Sequence, residues 1–170
     1  MPQTHSSTRS CAGQYTCQLT DLAVTGRLAN ALAVLAEEGD VIALAGPIGS
    51  GKTTFARYFI SAAGYREDVP SPTFNLLQVY EGERLSVWHF DLYRLKRPDE
   101  VFELGLEQAF DEGVTLIEWP ERMGELLPPD VLTLDFKPGQ SDLERQVGIN
   151  APAHWQARLG GCDLPVIRER

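Results

Sequence analysis

The residues that carry chemistry begin with Gly46-Pro47-Ile48-Gly49-Ser50-Gly51-Lys52-Thr53-Thr54. The spacing G-x-x-x-x-G-K-[ST] is that of a phosphate loop. Gly46, Gly49 and Gly51 let the backbone curl until successive N–H groups face one anion, with Ser50 and Thr54 in the same wrap. Lys52 is placed to reach β- and γ-phosphates, and the Thr53 hydroxyl to ligate Mg²⁺. The helix that follows adds a partial positive charge at its N-terminus. This set points to a nucleoside triphosphate and leaves the reaction open.

A second set lies downstream. Val114 to Glu118 is an apolar run ending in a carboxylate. In open α/β sheets ligands sit beyond the carboxyl ends of the strands, so Glu118 is placed to complete a Mg²⁺ shell. Trp119 and Pro120 then turn the chain. His89-Phe90-Asp91 ends another apolar run, and alternation along a strand puts His89 and Asp91 on one face. Asp91 is a candidate to orient or deprotonate an attacking water. His89 reads as a brace for Asp91 or for a switch loop, or as a satisfied structural histidine. Ser71-Pro72-Thr73-Phe74 stands where nucleotide hydrolases carry a switch segment, so Ser71 and Thr73 are candidates to sense a γ-phosphate; a plain turn is the alternative. Arg94, Lys96 and Arg97 read as a solvated face.

These groups need a scaffold, and hydropathy patterning supplies one. Val41 to Ala45 is a short buried strand feeding the loop, and Thr53 to Ile60 is the helix leaving it, stopped near Gly64. Gln14 to Leu19 is expected as a short edge strand. Thr20 and Asp21 cap a helix over 22–38, whose Leu28, Leu32, Leu35 and Ala36 form a core-facing stripe. Thr20, Leu22 or Thr25 could touch a base, although packing and capping explain them as well. Two apolar runs, 74–80 and 85–91, flank Glu81 to Arg84 as a β-hairpin. A proline-started helix over 98–104 ends at Gly105, and 106–110 forms a second short helix. Two further strands are expected at 131–136 and 145–150, then a weak helix over 154–159 and a tail. The fold class is therefore α/β and P-loop NTPase-like: a central mixed, mostly parallel sheet with flanking helices and a β-hairpin. The expected organisation is a disordered tail over 1–13, a P-loop ATPase domain over 14–150 and a C-terminal extension over 151–170.

Composition limits the function classes. Lys plus Arg number 15 against 24 Asp plus Glu, a net charge of −9 in 170 residues. That balance opposes non-specific nucleic-acid binding. Cys11, Cys17 and Cys162 show no metal-ligand spacing, and their odd number argues against a disulfide framework. No apolar run approaches the roughly 20 residues of a membrane helix. The N-terminus is polar, unlike a secretory leader. A cytoplasmic location is expected.

In order and spacing, Gly46 to Thr54, Ser71-Pro72-Thr73-Phe74, His89-Phe90-Asp91-Leu92-Tyr93-Arg94 and Ile117-Glu118-Trp119-Pro120-Glu121 resemble the TsaE (YjeE-type) family. That family is the ATPase of bacterial tRNA threonylcarbamoyladenosine (t⁶A) synthesis. The resemblance runs from about Thr20 to Asn150. It implies an ATP- and Mg²⁺-dependent hydrolase acting with TsaD-like and TsaB-like subunits, touching tRNA through them and not transferring the threonylcarbamoyl group itself. Carried over, Lys52 binds phosphate, Thr53 and Glu118 hold Mg²⁺, Asp91 serves hydrolysis, and Trp119 follows the metal acid as the family pattern has it. Two other classes compete on the residues alone: a small-molecule P-loop kinase, and a docking module that binds nucleotide without needing to hydrolyse it.

Overall fold

The computed structural model describes residues 13–70, 75–162, 164 and 166–168. The described residues build one eight-stranded sheet. β2 (Val41–Ala45) lies parallel to β5 (Val114–Glu118) on one side and to β6 (Leu132–Pro138) on the other, and β4 (Ser86–Asp91) continues the parallel set beside β5. The sequences VIALA and VTLIE are almost wholly buried. That is what a parallel strand covered on both faces requires.

Alternation divides these strands between two cores. Ile42, Leu44 and Leu116 face α1 (Leu22–Leu35) and α2 (Lys52–Ala62), with Leu28, Leu32, Phe55 and Phe59. Val41, Ala43 and Ile117 face the opposite layer. There α3 (Glu100–Glu103), α4 (Leu106–Glu112) and the 3₁₀ segment Pro120–Leu126 contribute Val101, Leu106 and Met123. Gly105, at φ +84°, separates the two short helices as its residue type predicts.

Antiparallel pairs finish the sheet at both sides. The expected hairpin is β3 (Leu77–Glu81) with β4. Its turn rests on the end of α2, where Arg84 N–H donates to Ala63 O at 3.2 Å. The other side is β7 (Arg145–Ala151), β1 (Gly13–Leu19) and β8 (Val166–Arg168). β1 is therefore not the edge strand expected of it, because β8, from the stretch read as a tail, pairs along its outer side. Residues 1–12 of the expected N-terminal tail lie outside the described residues. Among the described residues no helix is long and apolar enough to cross a membrane.

α1 also differs from expectation, stopping at Leu35 rather than 38. Asp40 accepts the Glu37 N–H at 2.8 Å, and Arg158 of α5 (Ala153–Leu159) donates to Leu35 O at 3.1 Å while pairing with Asp40. These bonds satisfy the helix end and turn the chain into β2. Trp155 of α5 is fully buried in the α1/α2 core. At the other end of α1, Asp21 caps the helix by accepting the Val24 N–H at 2.9 Å. Asp21→Ala should cost about 1 kcal/mol and lower Tm by roughly 2–4 °C in thermal melts. An unchanged Tm would show that water satisfies the helix end equally well.

Candidate functional site

The phosphate loop leaves β2 at Ala45 and runs into α2 at Lys52. Gly46 has φ +135°, and a Cβ there would stand 2.4 Å from Phe136 O of neighbouring β6. Only glycine lets the loop pass that strand. Gly51, at φ +102°, occupies the helix cap position in the left-handed region, which brings the first N–H groups of α2 round to the loop. Ser50 is buried.

Lys52 is buried at 4% exposure, and its Nζ donates to Gly46 O at 2.6 Å and Pro47 O at 2.9 Å. The ammonium also lies 4.1 Å from the Trp119 ring centroid. Burial pushes its pKa down, while Glu118, Glu121 and Asp91 pull it back up. Those acids keep a positive charge available at the loop.

Glu118 closes the site from the far side. β2, β4 and β5 run parallel, so all three end at one edge, with Asp91 in register with Glu118 and Leu44 also paired to it. Thr53 Oγ1 donates to Glu118 Oε2 at 3.0 Å. His89 Nε2 meets Glu118 Oε1 at 2.8 Å. A carboxylate only accepts, so Nε2 carries the hydrogen. His89 is wholly buried and its Nδ1 has no hydrogen-bond partner. The ring thus bonds Glu118 rather than Asp91, and the switch segment 71–74 lies outside the described residues. β4 lies between β3 and β5, and the ring finds its acceptor on the adjacent strand β5.

Asp91 sits half-buried as the last residue of β4, and its Oδ1 accepts the Tyr93 N–H at 3.2 Å. Burial raises its pKa, the Tyr93 N–H opposes that, and the nearby Glu118 charge adds to the rise. Trp119 adopts φ 60°, ψ 52°. This conformation costs a residue with a side chain roughly 1–2 kcal/mol. It turns the indole between Lys52 and Tyr93, whose ring centroid is 4.9 Å away. Ser71 and Thr73 lie outside the described residues.

A cavity of about 590 Å³ extends from the loop, a size suited to a small ligand. Thr53 and Thr54 form its floor. Asp21, Leu22 and Thr25 at the start of α1 line it on one side, and Leu143 of the β6–β7 connection and Arg145 at the start of β7 line it too. Leu22 and Thr25 therefore do line the cavity, whereas Thr20 does not and instead bonds Asp21 at 3.4 Å. The β6–β7 wall was not anticipated. It carries no motif, and only its adjacency to the loop-bearing strand could have pointed to it.

A glycine-lined loop between a buried parallel strand and a helix, opposed by an acid from the next strand, defines a P-loop NTPase-like protein. The comparisons narrow this. The family model described as "Threonylcarbamoyl adenosine biosynthesis protein TsaE" matches residues 19–147, and the chain belongs to that family. It is 41% identical over 114 residues to the tRNA threonylcarbamoyladenosine biosynthesis protein TsaE of Rickettsia conorii, covering 66% of this chain and 65% of that one. The match thus spans just under two thirds of that relative's length. It is 38% identical over 128 residues to the protein of the same name in Bacillus subtilis, covering 75% and 79%. The crystal structure of Bacillus subtilis YdiB superposes with a TM-score of 0.73 at 28% identity, covering 88% of this chain and 93% of that chain.

Proposed function

We propose that this chain is a Mg²⁺-dependent ATP hydrolase serving t⁶A formation in cytoplasmic tRNA. It works with TsaD-like and TsaB-like subunits, meets tRNA through them, and does not itself transfer the threonylcarbamoyl group. The observation that carries the reading is the Glu118 carboxylate, held between the Thr53 hydroxyl of the phosphate loop and the His89 ring.

The donor set suits a hard cation. Thr53 and Glu118 offer oxygens, and Mg²⁺ usually takes one or two carboxylates and completes its shell with water and phosphate oxygens. When bound, Mg²⁺ would neutralise charge on the β- and γ-phosphates. Lys52 and the loop N–H groups hold the phosphate tail, and α1 with the β6–β7 wall encloses the nucleoside. Asp91, at the end of the neighbouring strand β4, orients the attacking water and takes its proton. Catalysis of this kind is positioning and electrostatics. No arginine of the described residues is assigned to the transferring phosphoryl group, so turnover alone should be slow.

Phosphate release from ATP by the purified chain, alone and with the TsaD-like and TsaB-like pair, tests the proposal. Turnover that rises with the partners is the expected result. No phosphate in either setting, from folded protein, would sink it; phosphate recovered on a metabolite would make it a kinase.

His89 supplies a separate check. In the His89→Ala variant Glu118 keeps only the Thr53 contact. Mg²⁺ affinity in the presence of ATP should fall roughly 10–100-fold, while ATP binding in EDTA stays close to wild type. Equal losses in both conditions would show a packing role.

A further inference from the structure

Arg145 opens β7 and reaches across the end of the cavity to the phosphate loop. Its Nη2 donates to Gly49 O at 3.1 Å. Its Nη1 donates to Asp142 O and to Glu144 O, each at 2.7 Å. One guanidinium therefore ties the β6–β7 connection to a loop 96 residues earlier in the chain. The peptide joining Gly49 and Ser50 is held at both ends, because the Ser50 N–H donates to Pro47 O at 3.2 Å. Its oxygen cannot change direction without losing the Arg145 bond. A carbonyl oxygen turned inward would repel a polyanion, in a chain whose net charge of −9 already opposes one. The planar fork of arginine can serve three carbonyls in two segments. The single nitrogen of lysine, on a flexible stem, cannot span both.

We infer that Arg145 is a positioning residue for nucleotide binding. It fixes the Gly49 carbonyl against the start of β7 and couples the wall beside the nucleoside to the loop that grips the phosphates. The inference rests on the nucleotide-binding part of the reading above. It lies outside the phosphate-loop motif and outside the Asp91 and Glu118 machinery. It also separates from two simpler roles. A cation that merely attracts phosphate is replaceable by lysine. A side chain that merely touches the nucleoside leaves phosphate binding alone.

Binding of ATP and of inorganic tripolyphosphate, each with Mg²⁺, should be measured by calorimetry on the full-length wild type, Arg145→Ala and Arg145→Lys, with thermal melts on each. Both variants are expected to bind ATP about tenfold more weakly, and tripolyphosphate more weakly by a similar factor. Wild-type affinity in Arg145→Lys would overturn the inference in favour of plain charge. So would unchanged ATP affinity in both variants. Loss confined to ATP, with tripolyphosphate unaffected, would overturn it in favour of direct nucleoside contact. If Arg145→Ala does not fold, Arg145→Lys, which keeps the charge but not the fork, decides alone. Wild-type protein that binds neither ligand would remove the nucleotide reading itself, an outcome distinct from the others.

Discussion

Glu118→Gln should lower Mg²⁺-ATP turnover by at least roughly a hundredfold. Loss of an outer partner of a metal ligand already costs about 10–100-fold, and here the ligand itself loses its charge. The substitution preserves volume in a site where Glu118 is only 2% exposed. Its carboxamide can still bond on both sides. With the amide oxygen toward His89, which still donates from Nε2, the Thr53 hydroxyl rotates to accept from the amide nitrogen. Fold and metal-free nucleotide binding should therefore persist. Phosphate release titrated with Mg²⁺, beside ATP calorimetry in EDTA, checks this. Equal losses with and without metal would assign Glu118 to packing.

Asp91→Asn should reduce turnover by about 10²–10⁴-fold, the range for losing a general base, with ATP affinity retained. Its effect on stability should have the opposite sign. Burial raises the Asp91 pKa in the folded chain, so the folded state holds that proton more tightly than the unfolded chain does. Ionised Asp91 therefore costs stability above its folded pKa, and the cost disappears as pH falls through it. At neutral pH the uncharged Asn removes that cost, and Tm should hold or rise slightly. In the wild type, turnover should climb with pH along a limb displaced above the ordinary carboxylate range, and this limb should vanish in the variant. A lowered Tm at neutral pH with turnover intact would make Asp91 a structural residue.

What was legible in the chain was local. The phosphate loop is read from glycine spacing and one lysine, because strand, turn and helix follow one another without a break. Glu118 and Asp91 are read from apolar runs that stop at a carboxylate. Contacts set by strand order were not legible. His89 meets Glu118 only because β4 and β5 run side by side in parallel, 29 residues apart in sequence. Had β4 paired elsewhere, the expected brace to Asp91 would have been as good a reading. The end of α1 depends on Arg158, 123 residues beyond Leu35. The inner position of β1 depends on β8, a three-residue strand with too little pattern to announce itself. The β6–β7 wall of the cavity has no composition that marks it out.

The Lys52 ammonium, already fastened to two carbonyls of its own loop, bears on how tightly an anion can be held. A solvated lysine has about 2 kcal/mol of rotamer entropy to lose when it is ordered. Here folding has ordered the side chain beforehand, so an arriving triphosphate finds a fixed charge and need not immobilise a swinging one. The penalty falls on the stability of the empty protein, and the grip on the ligand is correspondingly firmer.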